Sequence, residues 1–228
     1  MMNIKAIVFD LFHTLISLKT DAVAPPSTSE QLGVSEKEWN TLLWEQSERR
    51  LCGHVKDPFE IIKELTTHGC WNIPDSKLRE VATIRQERFA EGMHAVQSHV
   101  LQALDQLQHA GLSLAICSNA DWMERSGWES SPLSQRFDSA IFSCDVGYVK
   151  PEPEIFQFCL DELNVKARDT VFVGDGGSHE LAGAKEVGMT TVMTTEITSQ
   201  IYPEVIAKRK KDADYIINHI TQLMNILN

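Results

Sequence analysis

The 228 residues contain no uncharged apolar stretch near the ~20 residues that a bilayer-spanning helix requires. Lys5 and Asp10 stand where a signal peptide would place its apolar region, so the expectation is a cytoplasmic protein with no membrane partner. Positive charge is scarce: 21 Lys+Arg stand against 32 Asp+Glu, a formal net charge of -11. No Lys/Arg block offers the dense charge that nucleic acid or an anionic membrane attracts, so no nucleic-acid partner is expected. The short run Lys208-Arg209-Lys210-Lys211 reads as the solvated end of a helix. The five cysteines, Cys52, Cys70, Cys117, Cys144 and Cys159, are odd in number and show no CxxC spacing. Neither a disulfide framework nor a cysteine zinc site is indicated, and the cysteines read as reduced, mostly buried thiols. His54, His68, His94 and His99 show no ligand spacing and read as surface or cap residues. Repeats and low-complexity tracts are also missing.

What is present is an ordinary globular composition, long enough to bury roughly 70–75% of the surface that the unfolded chain exposes. Short, uniformly apolar runs at 4–9, 112–117, 140–143, 170–174, 190–193 and 215–217 read as strands covered on both faces. Helical patterns at 100–110, 153–163 and 180–187 lie between them; Gly111 and Gly188 close two, and Pro153 opens one. The alternation predicts an α/β fold with a doubly wound parallel sheet. It is interrupted between about 17 and 97 by helical patterns at 36–51, 58–67 and 75–93, separated by loop signals at Ala24-Pro25-Pro26-Ser27 and at 69–74. This predicts a core domain of residues 1–16 and 98–228 and an α-helical cap domain of residues 17–97. The cap would sit over the carboxyl edge of the sheet, where ligands bind in such folds. Trp39, Trp44 and Trp71 read as cap core.

Four features recur at strand ends. Asp10, in Phe9-Asp10-Leu11-Phe12-His13-Thr14-Leu15, is placed to be a nucleophile or metal ligand, with Thr14 able to hydrogen-bond it. Ser118-Asn119 offers a hydroxyl and backbone N–H groups to an oxyanion. Lys150, confined by Pro151 and Pro153, supplies a fixed positive charge. In Gly174-Asp175-Gly176-Gly177-Ser178-His179-Glu180, the glycines permit close approach of a bound ion, and Asp175 and Glu180 offer hard oxygens suited to Mg²⁺. Each feature alone also has an ordinary reading, as turn chemistry, a capped helix start or a tight connection. Their order along the chain is what singles them out.

That order resembles the haloacid dehalogenase superfamily, with DLFHTL as its first motif, SN its second, KPEPEIF its third and GDGGSHELAGAKEVGM its fourth. The similarity covers nearly the whole chain, including an inserted helical cap of the first type. It implies a hydrolase, most simply a Mg²⁺-dependent phosphatase acting on a small phosphorylated molecule. Asp10 would form an aspartyl-phosphate. Asp10, the Phe12 backbone carbonyl, Asp175 and Glu180 would hold the Mg²⁺. Ser118 and the Asn119 amide would hold a phosphoryl oxygen, with Lys150 neutralising charge and Thr14 supporting the nucleophile.

One position departs from the pattern. The superfamily's phosphatases carry a second Asp two residues after the nucleophile as general acid–base, and here that residue is Phe12. Its loss implies slow turnover, a good leaving group or different chemistry. His13 is the neighbouring titratable group, but its position aims it differently. An aromatic residue at this point also resembles the 2-haloacid dehalogenases, which use the same Asp without a metal; Arg49 or Arg50 would then cradle the halide. Against that reading, Asp175 and Glu180 would stand as uncompensated negative charge beside Asp10. A third reading is a member that binds a phosphorylated ligand or a protein partner without turnover. Substrate identity and oligomeric state are not legible.

Overall fold

The computed structural model describes residues 3–17 and 27–227. The loop signal at Ala24-Pro25-Pro26 lies outside them. In chain order the principal elements are β1 (Ala6–Phe9), α1 (Thr28–Leu32), α2 (Glu36–Glu45), α3 (Ser47–Leu51), α4 (Pro58–His68), α5 (Asp75–His94), α6 (Ser98–His109), β2 (Ser113–Ser118) and β3 (Ser139–Phe142). They continue through α7 (Ser143–Val146), α8 (Pro153–Leu163), β4 (Thr170–Gly174), α9 (Glu180–Val187), β5 (Thr190–Thr194), α10 (Thr198–Ile201), α11 (Ile206–Arg209), β6 (Tyr215–Ile217) and α12 (Leu223–Leu227). The six strands form one sheet in the order β3-β2-β1-β4-β5-β6, and every pairing is parallel. This is the doubly wound α/β fold that the alternation predicts.

The apolar runs form a buried sheet because successive side chains of a strand point to opposite faces, and here helices cover both. Along β1, Ile7 and Phe9 join a cluster with Val100, Leu104 and Leu107 of α6, whereas Val8 joins one with Ile155, Phe156 and Leu181 of α8 and α9. All four β1 residues are fully buried. Edge strand β6 is different, with Tyr215 and Ile216 exposed and only Ile217 buried.

Among the described residues from 27 to 97, every regular element is a helix. Three have sequence-encoded starts: Ser27 and Glu30 form a reciprocal capping box, Ser35 caps α2, and Asp57 caps α4 ahead of Pro58. The single helix expected over 36–51 is two, because Gln46 leaves helical geometry (φ -104°, ψ 29°) between α2 and α3. Trp39 is buried and packs on half-buried Trp71 at 6.4 Å between ring centroids, but Trp44 is 71% exposed and is not core. The thiols divide similarly, with Cys117, Cys144 and Cys159 buried, Cys52 half-buried and Cys70 exposed. Burial first, and nearby Asp145 second, push the Cys144 thiol up to about 12, so it is inert as a nucleophile.

The inserted helices are fastened to the sheet layer by charge as well as by packing. Arg50 of α3 donates to Asp121 Oδ2 at 2.9 Å and to both Glu124 oxygens at 3.3 Å, and Arg85 of α5 donates to Glu124 Oε1 at 3.0 Å. The Asp121 side chain also accepts from the N–H groups of Met123 and Glu124, so the network is closed on the β2 side. Burial raises the Asp121 pKa; for Glu124 the two guanidiniums outweigh burial and lower it. Nearby, a Cβ on Gly53 would lie 2.0 Å from the Cys144 carbonyl oxygen, so only glycine permits this approach of the helices to α7. Arg50→Ala should destabilise the fold by about 3–5 kcal/mol in urea unfolding, because it strips a buried partner from two carboxylates. A loss below ~1 kcal/mol would show that water replaces the guanidinium there.

Candidate active site

The sheet topology brings the strand-end residues together at one carboxyl edge. β1 lies between β2 and β4, so Asp10 stands beside the ends of the strands that carry Ser118 and Asp175. Asp10 is 6% exposed, Asp175 5%, Glu180 2% and Lys150 3%, a burial that makes every charge here depend on its partners.

Asp10 Oδ2 accepts a 2.8 Å hydrogen bond from Thr14 Oγ1, and Oδ1 accepts a 2.5 Å bond from Lys150 Nζ. The same ammonium donates to Glu180 Oε2 at 2.6 Å, and the other Glu180 oxygen accepts from Gly176 N–H at 2.9 Å. Gly174 makes this possible, since a Cβ there would fall 2.2 Å from Glu180 Oε1. Burial disfavours the Lys150 ammonium, but Asp10 and Glu180 outweigh it and hold its pKa above the ordinary lysine value. Burial first, and Asp10 next, push Glu180 well above the usual carboxylate range despite Lys150.

Asp175 is held by groups that local motif reading does not find. Its Oδ1 accepts from Gly177 N–H at 2.8 Å; its Oδ2 accepts from Thr198 Oγ1 at 3.3 Å and forms an ion pair with Arg209. Arg209 belongs to the run expected to be a solvated helix end. The structure corrects this: α11, in the connection between β5 and β6, carries Arg209 back to the mouth of β4. The signal was invisible because 34 positions separate the partners and the neighbouring lysines make the run look uniformly external. The objection that Asp175 and Glu180 would be uncompensated also falls, since Arg209 pairs with one and Lys150 with the other.

Asn119 is spent on positioning. Its side-chain Nδ2 donates to the Lys150 carbonyl at 3.1 Å and its Oδ1 accepts from Lys150 N–H at 2.7 Å, so the donor it can offer a ligand is its main-chain N–H. The Ser118 hydroxyl, by contrast, is fully buried and its Oγ has no hydrogen-bond partner among the described residues. Phe12 makes an isolated bridge with Ile16 and packs its ring edge-on against Phe89 of α5 at 5.7 Å, giving an apolar wall where a general acid would stand. His13 adopts a left-handed backbone (φ 63°), with its ring against Tyr202 at 5.7 Å. Neither arginine expected as a halide cradle is available. Arg49 is exposed and pairs with Glu64, and Arg50 is committed to Asp121 and Glu124.

The parallel α/β sheet thus brings a buried Asp, a bridging Lys and an acidic loop together at its carboxyl edge, the arrangement of a hydrolase site on an α/β fold. The family model described as haloacid dehalogenase-like hydrolase matches residues 4–188, and the chain belongs to that family. It is 36% identical over 123 residues to bifunctional epoxide hydrolase 2 of Rattus norvegicus, an alignment covering 50% of this chain but only 22% of that enzyme. It is 27% identical over 200 residues to (S)-2-haloacid dehalogenase 4A of Burkholderia cepacia, covering 83% of this chain and 82% of that one. The solved structure of a HAD phosphatase from Thermococcus onnurineus superposes with a TM-score of 0.64 over 99% of this chain and 98% of its own, at 24% identity. That last likeness concerns the fold alone.

Proposed function

We propose that this hydrolase is a Mg²⁺-dependent phosphatase acting on a small phosphorylated molecule, with Asp10 as the nucleophile. The observation that carries this reading is the buried triad Asp10, Asp175 and Glu180, whose potential ligand oxygens all lie within 4.8 Å of one another. Three carboxyl groups face two cations, Lys150 and Arg209, and burial and Asp10 resist ionisation of Glu180, so a further cation among them would favour its charged form. Hard oxygen donors clustered in this way fit a divalent cation of the Mg²⁺ class. The Phe12 carbonyl would complete the protein's donors. Bound there, Mg²⁺ would polarise a phosphoryl oxygen and screen the carboxylates from the ester's charge.

The chain's own groups divide the remaining work. Thr14 and Lys150 fix the Asp10 carboxylate while one of its oxygens attacks phosphorus and the bond from phosphorus to the leaving oxygen breaks. Lys150, the Ser118 hydroxyl and the Asn119 main-chain N–H offset charge on the transferring group. Water then attacks the aspartyl-phosphate, releasing inorganic phosphate and restoring the Asp10 carboxylate. Because Phe12 cannot supply a proton, the leaving oxygen must take it from water, which favours esters of acidic alcohols. The test is release of phosphate from an aryl phosphate, with and without chelator.

Arg209 supplies a second check. Its guanidinium competes with a metal ion for Asp175, so Arg209→Gln should tighten Mg²⁺ binding about tenfold in titration calorimetry, the scale of one charge-assisted hydrogen bond. Weaker binding in the variant would mean that Arg209 holds Asp175 in its ligating orientation instead.

One observation favours attack on carbon in a 2-haloacid as the second reading. Arg209 pairs with Asp175 and Lys150 bridges Asp10 and Glu180, so each carboxyl group already has a cation of the protein beside it. Halide release from short 2-haloacids in chelator is the result that would select it.

A further inference from the structure

Further along the same carboxyl edge, toward edge strand β6, three residues remote in sequence converge on one point. His99 lies in the first turn of α6, Glu196 follows β5, and His219 follows β6. His99 Nε2 is 2.5 Å from Glu196 Oε1 and His219 Nε2 is 3.3 Å from the same oxygen, with the two imidazole rings 4.3 Å apart. His99 is part-exposed, in keeping with a surface residue, but it has a partner that its spacing does not reveal. Its partner Glu196 is 97 positions away, beyond any local spacing rule.

We propose that His99, Glu196 and His219 form a second metal site, for a divalent transition ion of the zinc class. Two imidazole nitrogens and one carboxylate oxygen are a donor set suited to Zn²⁺, Co²⁺ or Ni²⁺ and unlike the all-oxygen set around Asp10. Ligands about 2.0–2.2 Å from a tetrahedral ion stand roughly 3.3 Å apart. The His219 contact already has that length, the His99 contact needs to open by under ~1 Å, and all three donor atoms lie within 4.8 Å of one another.

The outer contacts orient the donors. Glu196 Oε2 accepts from Ile220 N–H at 2.7 Å, which turns Oε1 toward the imidazoles. The Nδ1 of His219 contacts Thr221 Oγ1 at 2.7 Å, which aims Nε2 at the cluster, as second partners do in built metal sites. Side-chain exposures of 27% for His99, 13% for Glu196 and 42% for His219 leave an entry path and room for a solvent ligand. An ion held here would pin the start of α6 to the ends of β5 and β6, at the β6 edge of the sheet.

The test is calorimetric titration of the full chain, freed of metal by chelator, with Zn²⁺ in millimolar Mg²⁺ that saturates the oxygen site. The expected result is one Zn²⁺ per chain and a rise in Tm. His219→Ala and His99→Ala should each weaken Zn²⁺ binding by more than about 100-fold, beyond the 10–100-fold typical of losing an outer-shell partner, and abolish the Tm rise. Asp10→Asn should leave Zn²⁺ affinity unchanged. Co²⁺ absorption of the unaltered chain gives a reading that does not depend on variants folding: an intense tetrahedral band supports nitrogen ligation. A weak six-coordinate spectrum, Zn²⁺ binding that survives both histidine substitutions, or no binding at all would overturn the proposal.

Discussion

Asp10→Asn is expected to lower phosphatase turnover by about 10⁴-fold or more, the scale on which removal of a covalent nucleophile acts. The expectation rests on how little else the change disturbs. Asparagine matches aspartate in shape; its carbonyl can still accept from Lys150, and its NH2 can donate to the Thr14 hydroxyl, which accepts as well as donates. Lys150 keeps its 2.6 Å bond to Glu180. The variant also removes one of three mutually repelling buried carboxylates, so its Tm should equal or exceed that of the unaltered chain. A large loss of turnover without a loss of Tm separates chemistry from folding. Turnover within about tenfold of the original would mean that Asp10 only helps to bind the ester.

The second large effect should be a gain. Phe12→Asp restores a titratable group at the position where the phosphatase pattern has one, and general acid–base catalysis typically contributes 10²–10⁴-fold. The gain should depend on the leaving group. An alkyl phosphate, whose departing oxygen needs a proton, should improve toward the upper end of that range, while an aryl phosphate should improve much less. Phe12 packs on Phe89 and against the main apolar cluster, so the substitution should cost about 1–3 kcal/mol. Circular dichroism and a urea midpoint will show that the fold survives. Equal rates for both substrates before and after the change would show that the missing acid does not limit turnover.

How much of this was readable in advance depended on the range of each interaction. β1 declared itself because a strand buried on both faces needs no polar alternation, and Ile4-Lys5-Ala6-Ile7-Val8-Phe9 is apolar except where Lys5 reaches the Asp169 carboxylate. Asp10, Ser118, Lys150 and Asp175 were placed by a simple rule, that parallel strands present their following loops at one edge. The grip on those residues was not legible. Arg209 and Thr198 reach Asp175 only because the connections after β5 double back, and nothing in their neighbours marks them. The Asn119 side chain secures the Lys150 backbone through two bonds that no pattern of residue types announces. The same limit hid Arg50, whose pairing with Asp121 spans 71 positions, and it concealed the cluster at His99. Short-range signals such as the Ser27–Glu30 capping box were written in the sequence itself.

The most direct test of the central claim is phosphate release from an aryl phosphate as Mg²⁺ is titrated into protein stripped by chelator. The expected result is turnover that rises from background to saturation with Mg²⁺ and returns to background when chelator is added. Turnover that is indifferent to Mg²⁺, or halide release from a 2-haloacid in chelator with no phosphate released under any condition, would contradict the account.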